Sequence, residues 1–454
     1  MSAPTAALPL GHTAAVEAIR REALPLTGSP HDYDALMSRI GDARIVLLGE
    51  ATHGTHEFYR ERARITKRLM REHGFTAVAI EGDWPDAHRV HRYLRATGLD
   101  RTAEESLRGF RRFPTWMWRN ADVVDLVGWL RTHNDHRHAT VRKVGFYGLD
   151  LYSLDASMQA VIEYLRDHDP EAADRARRRY ACLQPYASDS ADYGRALLSG
   201  VGEPCRRGVF AQLVELRRRA GEYLLADGLD AEDAYFFAEQ NAAIVADAEE
   251  YYRGVFGSHA DTWNMRDRHM ADTLDGLLAH LDRHGGTARV VVWAHNSHVG
   301  DARATEMSAR GELTIGQLLR ERHGTDVVSV GFSTYAGTVT AASDWGAAAE
   351  RKRVRAARDD SYERLLHHCG LPAFLLCPVA AGAGGRVLAE PRLQRAIGVV
   401  YRPQTERQSH YFAARLTSQF DALVHIDETR AVEPLERDAA WDLGEPPETY
   451  PSAL

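Results

Sequence analysis

The chain has 454 residues, 44% of them hydrophobic and 26% charged, with a formal net charge of −8. It can bury a large core without staples, and its acidic balance excludes a basic field for nucleic acid or a polybasic membrane anchor. No apolar run nears the roughly 20 residues of a spanning helix, residues 1–12 lack the pattern of a secretory signal, and four cysteines without C-x-x-C spacing argue against structural zinc and for a reduced, cytoplasmic protein.

Residues 16–23 and 32–40 read as short helices leading to a buried strand at 44–48. Gly49 ends that strand, and Glu50, Thr52, His53 and Gly54 form a glycine-flanked polar turn before a helix at 56–73. Strand, turn, helix is where α/β sheets keep their chemistry, at the carboxyl ends of the strands. The inward stripe of the helix is Phe58, Arg62, Ile65 and Leu69. A guanidinium on that stripe is costly unless paired, and the strand-end carboxylates are its nearest candidates. A second strand, 76–80, ends in Glu81, Gly82 and Asp83, and a helix follows to residue 94. Residues 108–120 form an aromatic loop (Phe110, Phe113, Trp116, Trp118) that either packs beside the site or touches substrate. After a helix at 122–130, a third strand at 143–148 is followed by Asp150.

Between 153 and 283 no strand pattern is found, and one long helix spans 231–256. This predicts an α/β fold with a mostly parallel central sheet flanked by helices, plus a helical insertion over the strand carboxyl ends as lid or pocket wall. The expected division is 1–165 and 263–454 for the α/β core and 166–262 for the insertion. Helix 263–281 carries Arg266 and Asp267 near its start, and strand 289–293 runs into His295, Asn296, Ser297 and His298. Beyond it, helices are expected at 314–322, 361–368 and 409–420, and strands at 326–332, 373–376, 396–400 and 421–426. The glycine-rich run 378–385 reads as a turn, because no full G-x-G-x-x-G leads into a helix.

Strands that run parallel bring Glu50, Glu81, Asp150 and His295 to one edge of the sheet. There is no G-x-S-x-G, H-E-x-x-H or Walker A motif. Histidines and carboxylates without a side-chain nucleophile point to activation of water. His53 would take the proton, Glu50 or Glu81 would fix its tautomer, and His295 with Arg62 would stabilise the oxyanion. The same Glu50, His53, Glu81, Asp150 and His295 also suit zinc, manganese or iron as N/O ligands, although Arg62 adds positive charge where a cation would sit.

The runs Gly49 to Gly54, Glu81 to Pro85, Phe113 to Asn120, Arg266-Asp267 and Trp293 to Asn296, in that order, resemble the erythromycin esterase family over residues 30–435. The resemblance implies an α/β core with a helical part over the cleft. It also implies hydrolysis of an ester or macrolactone by water, as in family members that confer macrolide resistance. Beside it stand the expectations of a small-molecule ester or lactone partner and of no cofactor or metal. Carried over by position, His53 is the base, Glu50, Glu81 and His295 its companions and Arg62 the paired cation. Asp150, Arg266, Trp116 and Asn296 are expected on the substrate side. A metal-dependent hydrolase and a non-catalytic binding protein remain the alternatives.

Overall fold

The computed structural model describes residues 10–437 and Trp441, apart from 139–140, 188, 225–227, 284–285 and 379–380. Most of the stretch read for a secretory signal, and residues 379–380 of the glycine-rich run, therefore lie outside the described residues. The strands are β1 (Leu24–Pro25), β2 (Ile45–Leu48), β3 (Ala77–Asp83), β4 (Gly145–Asp150), β5 (Val290–Trp293), β6 (Val327–Ala341), β7 (Glu350–Val354), β8 (Ala373–Leu376), β9 (Arg392–Arg395), β10 (Tyr411–Ala414) and β11 (Ala422–Thr429). A nine-stranded sheet has the order β1-β8-β11-β6-β2-β5-β3-β4, with β7 paired to β6. From β11 to β4 every neighbouring pair is parallel, while β8 joins β11, β1 joins β8 and β7 joins β6 antiparallel.

The aliphatic runs are continuous because both faces of the sheet are covered. Val46 and Leu48 of β2, Val78 and Ile80 of β3, and Val291 and Trp293 of β5 enter one apolar cluster with helix His56–Glu72. Ile45, Leu47, Ala77, Ala79, Val290 and Val292 enter a second cluster with helix His259–Asp282. A third cluster, from Leu151 to Ala248, is buried among the helices between Leu154–His168 and Gly228–Gly254, where no strand occurs among the described residues. Cys182 and Cys205 in that region are joined in a disulfide, which corrects the expectation of four reduced thiols. Helices Pro170–Tyr180 and Arg206–Arg218 bring their Cα atoms to 6.0 Å, a closeness that a spacing of 23 residues does not announce. No described helix is long and apolar enough to cross a membrane.

Four expectations in the last third are corrected. Residues 396–400 form no strand: Ile397 and Val400 make only single bridges, to Thr52 and Ala342. Residues 409–420 form no single helix: Ser409 ends the short helix Glu406–Ser409, Leu416–Gln419 is a separate helical turn, and Tyr411–Ala414 pairs with Arg392–Arg395 as a two-stranded sheet. Its place is set from far away, by a Thr305–Ala414 bridge and by Glu306, which accepts the Ala413 N–H at 3.0 Å. The glycine-rich run leads into a short helix, Ala383–Leu388. Finally, β6 continues past Phe332 to Ala341, because β11 and β7 both supply pairing partners for its polar second half.

Candidate active site

Sheet register assembles the site. Leu48, Trp293 and Ile80 are opposite one another on β2, β5 and β3, and Ile80 is opposite Gly148 on β4. Glu50, His295, Glu81 and Asp150 each follow within two residues, so they meet at one level. Gly49 is required at this edge: a Cβ there would lie 2.2 Å from the Asn296 side-chain oxygen. Asn296 stitches the strand ends together, donating to the Phe332 carbonyl (2.7 Å), accepting the Phe332 N–H (3.2 Å) and donating its own N–H to the Glu50 carbonyl (2.8 Å).

Glu50 is buried and divides its carboxylate between two partners. One oxygen meets His53 Nδ1 at 2.9 Å and the other accepts from Arg62 at 2.5 Å. Arg62 is 0% exposed and lies 4.5 Å from the ring centroids of both Tyr59 and Trp293. Its Nε and second terminal nitrogen have no hydrogen-bond partner. The turn is pinned from below by the Tyr59 hydroxyl, which donates to the His53 carbonyl at 2.8 Å.

A second ionic group centres on Arg266, which grips both Asp150 oxygens (3.0 and 2.7 Å) and donates to Glu81 at 2.7 Å. The other Glu81 oxygen accepts the His295 N–H at 2.8 Å. Burial works to raise the Glu81 pKa, but the fields of His298, Arg266 and His53 and the His295 N–H outweigh it and leave it depressed. Asp150 is depressed too, burial again being outweighed by Arg266. His298 touches Glu81 at 3.4 Å and Asp267 at 2.9 Å and stacks flat on Trp263. Burial works to lower its pKa, and the two carboxylates raise it. Asp267 also accepts the Ile315 N–H at 2.8 Å.

The His53 and His295 rings face each other with centroids 4.7 Å apart. His295 Nδ1 accepts the Ser297 N–H (3.2 Å), which leaves the ring proton on Nε2, a buried atom without a partner. Burial, and then repulsion from His53, pushes the His295 pKa down to about 3, so this imidazole is neutral at pH 7.

Both rings open on a cavity of about 550 Å³ that Glu81, Asp150, Arg266 and His298 also line, a size suited to a drug-sized ligand. Phe110, Phe113, Met117 and Trp118 supply an aromatic wall, with Tyr152, Trp263 and Trp345 elsewhere around it. Four predicted site residues do not reach this space. Glu50 and Arg62 lie behind His53, so Arg62 does not reach an oxyanion in this space and is paired with Glu50 instead; Asn296 is tied up in the strand ends; Trp116 packs into the core beside the wall. Sequence reading missed His298, although it stands one helical turn beyond His295, and it missed the Asp83–Arg112 pair (2.9 Å at both oxygens) on the cavity wall. A Ser333–His425–Asp427 line on β6 and β11 (2.8 and 3.5 Å) is not on this cavity.

Among the described residues no group of three or more His, Cys, Asp or Glu side chains is placed to hold a metal ion. The chemistry of the donors explains it, because Glu50 is committed to Arg62, and Glu81 and Asp150 to Arg266.

The fold and this edge define an α/β protein of the kind that keeps a polar site at the carboxyl ends of parallel strands. The erythromycin esterase family model matches residues 70–429, and the chain belongs to that family. Erythromycin esterase type II of Escherichia coli is 24% identical over 75% of this chain and 82% of its own length. Erythromycin esterase type I of Escherichia coli is 26% identical over 64% and 70%, and a putative hydrolase of Bacillus subtilis (strain 168) is 22% identical over 72% and 73%. A crystal structure of a succinoglycan biosynthesis protein superposes with a TM-score of 0.76 at 22% identity, covering 94% of this chain and all of the other. A mutant of the erythromycin esterase EreC in its open conformation superposes with a TM-score of 0.64 at 20% identity, covering 87% and 93%. These likenesses establish the fold, and family membership supports a hydrolase of the erythromycin esterase type.

Proposed function

We propose that the protein hydrolyses a carboxylic ester or lactone by direct attack of water, with His53 as general base. The carrying observation is the pair of opposed imidazoles. Glu50 holds the His53 proton on Nδ1, which leaves the Nε2 lone pair free on the ring that borders the cavity. Beside it, neutral His295 carries a buried Nε2–H without a hydrogen-bond partner. One ring accepts a proton while the other donates a hydrogen bond, the division of labour that acyl hydrolysis requires.

His53 Nε2 takes a proton from water as the water oxygen bonds to the carbonyl carbon. Glu50 stabilises the imidazolium that forms, and Arg62 keeps Glu50 ionised and oriented. The oxyanion accepts from His295 Nε2–H. Collapse of the tetrahedral species breaks the C–O bond, and His53 returns the proton to the departing alkoxide, giving an acid and an alcohol. Glu81 and Asp150, braced by Arg266, hold His295 and the cavity floor. The insertion 166–262 contributes His259 to the lining, which supports its part as a wall.

Erythromycin esterases among the relatives make a macrolactone the first substrate to try, with antibiotic inactivation as the biological reading. Macrolides, simple lactones and aryl esters, each assayed with and without chelator, test it. Turnover that persists in excess chelator and falls roughly 10²–10⁴-fold in His53→Ala is expected. Loss of activity on chelation, restored by one divalent ion, would overturn the mechanism in favour of a metallohydrolase. A ligand bound tightly and left intact would replace it with a binding protein.

A further inference from the structure

Asp86 lines the cavity and has no part in the steps above. It is the third residue of helix Trp84–Arg95, and its carboxyl makes no hydrogen bond or ion pair among the described residues. Cations are close by, yet each is engaged elsewhere. Arg112 grips Asp83 (2.9 Å at both oxygens), Arg89 grips Asp100 (2.9 and 2.6 Å), and Arg111 donates to the Arg108 carbonyl at 3.3 Å. Burial, and then the charge of Asp83, push the Asp86 pKa up to about 7 against the pull of Arg112, Arg111 and Arg89.

An acid in the first turn of a helix complements the dipole, by about 0.3–1 kcal/mol where it is exposed. That does not account for a carboxyl turned into a cavity, where an unpaired charge is costly. Aromatic side chains line the same cavity. The Gly109 backbone abuts Asp86 so closely that a Cβ there would lie 3.0 Å from its oxygen, which puts the next residue, Phe110, on the same wall. Phe110 and Trp118 are 6.2 Å apart, and Gly82, four residues before Asp86, packs on the Trp118 ring. Aromatic rings lining the same cavity as an unpaired carboxylate are the chemistry that recognises a substituted ammonium ion.

We infer that Asp86, with Phe110 and Trp118, forms a subsite for a substituted ammonium group carried by the ester substrate. The identity of the substrate rests on the hydrolase reading above; binding of the cation does not. A bound cation favours the ionised carboxyl, so its affinity rises as pH rises through about 7, with Asp83, Arg112, Arg111 and Arg89 as the other charges facing the group. A neutral ligand accepting a hydrogen bond from protonated Asp86 would show the opposite trend.

Two probes decide it. Para-trimethylammoniophenyl acetate and its uncharged para-tert-butylphenyl isostere are assayed with the wild-type protein and Asp86→Asn. The substitution is expected to raise KM for the charged ester by about tenfold or more, the scale of one lost ionic contact. It leaves kcat and KM for the isostere within about twofold, which also shows that the variant is folded. Calorimetry with phenyltrimethylammonium reads the subsite without turnover, and tighter binding at about pH 8 than at about pH 6, lost in Asp86→Asn, supports it. Equal KM values in the two proteins, or no binding of phenyltrimethylammonium to the wild type, overturn the subsite. Failure to hydrolyse either ester counts against the hydrolase reading instead, and the calorimetry then decides the subsite alone.

Discussion

Two arginines, one buried and one at the cavity, organise the site in opposite ways. Arg62 is sealed, spends one terminal nitrogen on a single carboxylate and is otherwise packed between two aromatic rings. Arg266 borders the cavity and bonds two carboxylates and His298. The contrast separates tasks. A guanidinium with one ionic partner aims its charge at Glu50 and, through it, at one nitrogen of one imidazole. A saturated guanidinium instead cements a floor. In the proposed mechanism the Glu50 arm tunes the reaction, and the Asp150 arm shapes the space in which it happens.

Carboxylate-to-amide changes test this division most directly. Glu50→Gln preserves size but removes the charge that steadies a protonated His53, so kcat is expected to fall roughly 10²–10⁴-fold with KM little changed. Asp150→Asn leaves Arg266 paired to Glu81, and its effect on kcat is expected to stay within about tenfold. It should instead reduce stability by up to about 3 kcal/mol, measured by urea unfolding, as one arm of a buried ion pair is lost. Equal kcat losses in the two variants would erase the distinction.

A third expected effect concerns pH. His295 and His91, the latter buried on helix Trp84–Arg95, are neutral in the fold, both depressed first by burial, His295 to about 3. Each gains protons on unfolding below its unfolded value of about 6.5, so its contribution is complete above that pH. It is lost as pH falls, at about 1.4 kcal/mol per pH unit. His298 has a raised pKa, so its contribution is complete below about 6.5 and is lost as pH rises through its folded value. Unfolding free energy should therefore peak near neutrality. A stability profile that is flat between about pH 5 and pH 8 would show that these imidazoles are not held in their stated protonation states.

Much of the α/β core was legible because both faces of the sheet are covered, so its strands are unbroken aliphatic runs. Val290–Trp293 and Ala373–Leu376 lie within a residue of where their composition puts them. Arg62 was legible for a related reason, since a cation on an apolar stripe demands a partner wherever the chain folds. Less could be read where a partner distant in the chain decides the local conformation. Tyr411–Ala414 is strand rather than helix because Arg392–Arg395 lies beside it, and β6 outruns its apolar half because β7 and β11 hold the remainder.

The amino-acid sequence by itself determined the strand ends and the residue types that stand there, because burial and glycine-flanked turns are written in local composition. Only the tertiary structure decided that Glu50, and not Glu81, holds His53, that Arg62 is excluded from the cavity and that His298 belongs to its wall. Those outcomes depend on strand order and on distances between side chains far apart along the chain, and no local pattern records either.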